Sequence, residues 1–116
     1  MNTRFLHTLT AIAVAAILAP AITTAEEHTK AALEHAGEAA HSTGDSATIQ
    51  EHAAQALKHI DAAKAANQSN PQAMQHLRQG ETSLNDAVTH AERFNSPSAE
   101  DAAQTARQHL EQASKP

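Results

Sequence analysis

Nine histidines and no cysteine stand in a chain of 116 residues. Imidazole is the most frequent nitrogen ligand of Zn, Cu and Ni ions. Histidine is a mediocre helix former, so helix propensity does not account for their number. Their spacing is regular. His28, His52 and His76 stand 24 residues apart, and so do His35, His59 and Ser83. Each unit reads as a histidine, six residues, a second histidine and a turn, with Ser83 closing the third. A fourth unit is offset by two, with Ala102 and His109 seven apart. A fixed period of this kind marks helix-turn units copied from one ancestor.

The spacing also limits the chemistry. Two residues seven apart on a helix share a face but lie about 10.5 Å apart along its axis. One ion, at about 2.0–2.1 Å from each nitrogen, does not bridge that span, so any site must recruit a second helix. A hairpin folded about residues 43–44 pairs His35 with His52 and His28 with His59. A different fold would bring His59 near His76 across the second turn, and the sequence does not choose between them. Carboxylates add donors. Asp86 and His90 are four apart on one helical face, and Glu38 lies three residues after His35 and three before His41. No two histidines are spaced i,i+4 and no HExxH motif is present. Several modest sites are therefore expected in place of a preformed catalytic zinc site. No Ser/His/Asp or Cys/His constellation is legible, so the chain is not expected to be an enzyme. A haem held by Met74 and a histidine is a weaker reading.

The elements that must position these side chains follow from the breakers. Ser42-Thr43-Gly44-Asp45, Gln68-Ser69-Asn70-Pro71 and Asn95-Ser96-Pro97-Ser98 are turn clusters. Pro71 and Pro97 suit a first helical turn, with Asn70 and Ser96 as N-caps, or Ser98 for the last helix. Between the breakers lie four segments without proline or strand-like alternation. Small and apolar residues step by four and three in each. The second runs Ile49, Ala53, Ala56, Ile60, Ala63. The third runs Ala73, Leu77, Gly80, Leu84, Ala87, Ala91, Phe94, and the fourth Ala99, Ala103, Ala106, Leu110, Ala113. The first is weaker, with Ala32, Ala36 and Ala39 on the seam and Leu33 beside it. These are the a and d positions of helices packed in a bundle. With short turns, the fold expected is all-α, an up-down antiparallel four-helix bundle built from helix-turn repeats. On the same labels His28, His35, His52, His59, His76, His90 and His109 all fall at g, leaving only His41 elsewhere among the histidines after residue 25. The g position flanks the core, so these imidazoles should be half exposed and line the grooves between helices.

Composition bounds the rest. The chain carries 8 Lys+Arg against 13 Asp+Glu, a net charge of −5, with no Trp or Tyr. An acidic balance with so few aromatics excludes a nucleic-acid footprint. The lack of cysteine excludes disulfide frameworks, zinc ribbons and thiol redox centres. Residues 1–25 read as a cleaved signal peptide, with Arg4 as the positive start, Leu9 to Ala19 as the apolar run and Thr23-Thr24-Ala25 as the cut. Its removal takes away Arg4 and His7, giving a charge of −5 − 1 = −6 on residues 26–116. Those residues form one domain, exported to the periplasm. Alanine favours helix but buries little area at about 25 cal/mol per Å², so the core should be thin, and on composition alone disorder is a rival.

The chain resembles the small metal-binding protein family. The resemblance rests on Ala31-Ala32-Leu33-Glu34-His35-Ala36-Gly37-Glu38, on Glu51-His52-Ala53-Ala54-Gln55-Ala56-Leu57-Lys58-His59 and on Leu84-Asn85-Asp86-Ala87-Val88-Thr89-His90-Ala91-Glu92. It implies an exported, histidine-rich four-helix bundle that binds divalent metals, notably copper. Carried over by position, it implicates His28, His35, His52, His59, His76, His90 and His109, whereas His41 matches less well, being six residues after His35. Ser83 and Ala102 stand where the repeat calls for histidine. The second hairpin would mirror Ser83 with His109 and His90 with Ala102, so the stronger sites are expected in the first. Nitrogen and carboxylate donors suit Cu(II), Ni(II) or Zn(II), and Cu(II) should bind tightest. The function expected is periplasmic buffering of divalent transition metal by groove-lining histidines. The partners are metal ions, with no nucleic acid, no membrane after leader removal and a monomeric state. The alternative is a metal-independent structural or stress-related helical interaction module.

Overall fold

A computed structural model of the protein describes residues 20–115, and the expected leader lies outside the described residues up to position 19. Four helices follow in order: α1 (Pro20–His41), α2 (Ser46–Ala66), α3 (Pro71–Glu92) and α4 (Ser96–Ala113). There is no strand among the described residues. Alanine supplies the helix propensity, and each later helix starts on a polar cap. The Asp45 carboxylate accepts from the Thr48 N–H at 3.0 Å, and Asn70 accepts from the Ala73 N–H at 3.1 Å with Pro71 behind it. Bonds from the Thr48 hydroxyl and N–H hold the Asp45 carboxyl below its ordinary range.

Two local expectations need correction. The cap of α4 is Asn95, whose side chain accepts from the Ser98 N–H, in place of Ser96 or Ser98. Ser96 is buried and commits its hydroxyl to Ser46, 2.7 Å away at the tip of the first hairpin. Phe94 is not on the seam. Helix α3 ends at Glu92, and a reversal follows in which Phe94 N–H bonds Ala91 O and Asn95 N–H bonds His90 O. This is the hydrogen-bond pattern of a Schellman cap. Phe94 takes the left-handed position at φ 56°, and its ring turns outward, 87% exposed.

The remaining seam positions are buried as the periodicity requires, from Ala32, Ala36 and Ala39 on α1 to Ala99, Ala103, Ala106 and Leu110 on α4, except Ala113 in the last turn of α4, which is only partly buried. Ile49, Ile60, Leu77, Leu84 and Leu110 are the only large side chains fully buried among the described residues. Helices α1 and α2 form one hairpin and α3 and α4 the other. Contacts of α2 with α3 and of α1 with α4 close the bundle. A Cβ added at Gly80 would stand 3.2 Å from Leu110, which records how closely α3 and α4 approach. The heptad edges divide the grooves between them. Position e faces the other hairpin, as in the Lys64–Glu81 ion pair at 2.7 Å between α2 and α3, while position g faces the partner within a hairpin. All seven g histidines are half-buried and His41 is exposed. No described helix is long and apolar enough to cross a membrane.

Candidate metal centre

The groove between α1 and α2 gathers four of the histidines. The rings of His35 and His52 lie 5.8 Å apart, centroid to centroid, and those of His28 and His59 5.3 Å apart. These are the two pairings that folding about residues 43–44 requires, and they decide against a His59–His76 pairing. A diagonal contact that the sequence did not suggest links the rungs, since His35 and His59 stack at 5.6 Å with an interplanar angle of 10°. The imidazoles thus run in a zigzag: His52, His35, His59, His28.

Glu38 joins the first of these rungs. Its two oxygens face the two rings, Oε1 lying 3.9 Å from His35 Nδ1 and Oε2 3.2 Å from His52 Nδ1. One donor atom from each of His35, Glu38 and His52 falls within 4.8 Å of the others. The ring nitrogens are shielded from solvent and have no hydrogen-bond partner, because the short His52–Glu38 approach lies off the line that such a bond needs. An unpartnered buried polar atom costs about 1–3 kcal/mol. Two orphaned nitrogens converging on one carboxylate fit the donor set of a divalent transition metal, whose ligand shell would satisfy all three. Opposite donors on one ion stand about 4.1 Å apart at a bond length of about 2.05 Å. The 3.9 and 3.2 Å between the Glu38 oxygens and the two ring nitrogens fall inside that span.

On the second rung, Nδ1 of His28 and Nδ1 of His59 are 3.1 Å apart. In the neutral pair one donates and the other accepts. Burial pushes the His59 imidazolium to a lower pKa than usual, and the nearby charges of protonated His28 and His35 push it the same way. His59 is therefore held toward neutral imidazole, the form that binds metal.

The other candidates are more dispersed. His41 lies at the end of α1, where its Nδ1–H donates to the Gly37 carbonyl at 2.7 Å, so Glu38 is grouped with His52 and not with His41. Asp86 is exposed, and no ion pair within 4.0 Å joins it to His90. His76, His90 and His109 are half-buried on α3 and α4. None of them belongs to a cluster of three donors among the described residues. His76 also has an orphaned Nδ1, and the nearby polar residues are Asn70, Gln72, Gln112 and Lys115.

The sequence has a counterpart among known families. A family model described as small metal-binding protein matches residues 3–113, nearly the whole chain. A search of the curated proteins found no match.

Proposed function

Because the chain belongs to the small metal-binding protein family, we propose that it binds and buffers divalent transition-metal ions, Cu(II) before Ni(II) or Zn(II), in the periplasm. The observation that carries this reading is the convergence of His35, Glu38 and His52, with two shielded ring nitrogens that the fold leaves unpartnered. Two imidazoles and a carboxylate are borderline donors, for which the Irving–Williams order puts Cu(II) first. Two histidines and one carboxylate leave positions open on the ion, and the site lies along an external groove. Such a site exchanges its ion, as a buffer must. The periplasmic assignment rests on residues 1–25 acting as a removed leader, which mass spectrometry of the exported protein would check.

Calorimetric titration of the metal-free protein with Cu(II) at pH 7.4, repeated at pH 5.5, tests the function. Protein must be quantified by amino-acid analysis, since the chain has neither Trp nor Tyr. Saturable binding that collapses at the lower pH is the expected result. Binding should also raise the unfolding temperature, because an ion held only by the folded state stabilises it by mass action, about 2.7 kcal/mol at a hundredfold excess over Kd. Lack of saturable binding would overturn the reading in favour of a metal-independent helical interaction module.

A further inference from the structure

The reading above needs one ion on the first hairpin. The geometry of the second rung goes further, and we infer that the α1–α2 groove is a two-ion centre. His35, Glu38 and His52 hold the first ion, and His28 with His59 holds a second, weaker one beside it. This inference rests on the metal-binding reading.

Neighbouring donors on one ion, at about 2.0–2.1 Å each, stand about 2.9 Å apart at a right angle and about 3.3 Å apart at the tetrahedral angle. The 3.1 Å between His28 Nδ1 and His59 Nδ1 falls between these values. The two rings already meet as they would across a shared ion, with a proton in the place the ion would take. When the ion enters, the ring that donated Nδ1–H carries its proton on Nε2 instead, exchanged through solvent, and both Nδ1 lone pairs face the metal. Each histidine stays neutral throughout, so the step needs no change in protein charge.

The two rungs differ in donors. Glu38 stands three residues after His35, whereas Ala31 stands three residues after His28 and Ala62 three after His59. The second rung therefore supplies two nitrogens, and the rest of its shell comes from water or an outside ligand. The rungs are also coupled. They are one heptad apart, about 10.5 Å, and joined by the stacked His35 and His59 rings. Two doubly charged ions at that separation repel enough, even at the dielectric of water, to weaken the second roughly tenfold. Filling is then ordered, three-donor rung first. The ion on the two-donor rung, with more open positions and a charged neighbour, is the faster of the two to exchange with the surroundings.

Electron paramagnetic resonance of the full chain during Cu(II) titration reads this directly. The variant His76→Gln/His90→Gln/His109→Gln serves as background, so that the second hairpin does not compete for the second ion. One equivalent should give the spectrum of an isolated Cu(II), and two equivalents should add dipolar broadening from two ions about one heptad apart. Adding His28→Ala and His59→Ala should remove the coupled signal and the second equivalent while leaving the first within about threefold in affinity. An uncoupled spectrum at two equivalents, or coupling that survives loss of His28 and His59, would overturn the two-ion centre. Either result leaves the one-ion function standing, whereas failure of that function would show as no saturable binding at all. Circular dichroism of each variant separates loss of a ligand from loss of the fold.

Discussion

Glu38→Gln isolates the role of charge in the three-donor site. The amide keeps the shape of the side chain and a neutral oxygen, so the substitution removes one negative charge and little else. An ion seated against His35 Nδ1 and His52 Nδ1 lies about 3 Å from the centre of that charge, given contacts of 3.2 and 3.9 Å between the carboxylate oxygens and the ring nitrogens. Glu38 is 52% exposed, so the dielectric of water is the conservative choice. A +2 ion and a −1 group about 3 Å apart then attract by about 2.8 kcal/mol. That attraction corresponds to roughly a hundredfold in Kd, and the retained amide oxygen brings the expectation to about 10–100-fold. Glu34→Gln is the control. It removes the same charge from an exposed position on α1, one residue before His35. Calorimetry with Cu(II) at pH 7.4 should show a change of less than about threefold for Glu34→Gln. Equal losses from the two variants would mean that net charge, and not a ligand, is at work, and the three-donor assignment would fall.

Two further outcomes follow from the same groove. His52→Ala should weaken the first Cu(II) equivalent at least tenfold more than His109→Ala, because His52 meets both His35 and Glu38 whereas His109 joins no three-donor cluster; equal losses in calorimetry would refute the ranking of the two hairpins. His59 makes the metal-free fold sensitive to acid. Its folded pKa lies below the ordinary value of about 6.5, mainly through burial, so the unfolded chain takes up the proton first as pH falls. The stability it contributes is present above about pH 6.5 and is lost as pH falls through the depressed value. Thermal melts of the metal-free protein between pH 7.5 and 5 should show this decline, and a His59→Gln variant with an undiminished decline would exclude His59 as its source.

Much of the fold was legible because a four-three step of small residues allows one solution. Alanines at a and d must face inward, Asn70-Pro71 must start a helix, and g must flank the seam. The step stops being informative where the helix stops. Phe94 continues the heptad numerically, but a left-handed residue at φ 56° ends the geometry that gives the numbering meaning. Ser96 was the reasonable cap until its hydroxyl proved to be committed to Ser46, a partner 50 residues away. At the site, His35-x-x-Glu38 was visible as a local pair, yet the third donor depends on which hairpin forms. Mirror symmetry about residues 43–44 offered His35–His52 without fixing it. The stagger that sets His59 beside His35, and Glu38 across from His52, is a matter of a few ångströms between helix axes, which no spacing rule encodes.

That separation also explains why the core is made of alanine. Packed helix axes stand about 8–10 Å apart, depending on the side chains between them, and small residues at a and d favour the near end of that range. An imidazole is short, so two of them on opposite g positions meet only if their helices are close. The alanine seam thus gives up buried area and sets the 3.1 Å and 5.8 Å contacts of the rungs. Ala53→Leu tests this. Ala53 is fully buried next to His52 in α2, and three added carbons there should cost about 1–3 kcal/mol by overpacking while prising α1 from α2. Cu(II) affinity should fall at least tenfold although no donor has been touched. Ala103→Leu, at an equally buried position on α4, should lower the unfolding temperature to a similar degree and change affinity by less than about threefold. Circular dichroism melts and calorimetry on the two variants give both quantities. Should Ala53→Leu remain folded and bind Cu(II) as tightly as the unaltered chain, helix separation would not be what positions the histidines, and the alanine seam would need another explanation.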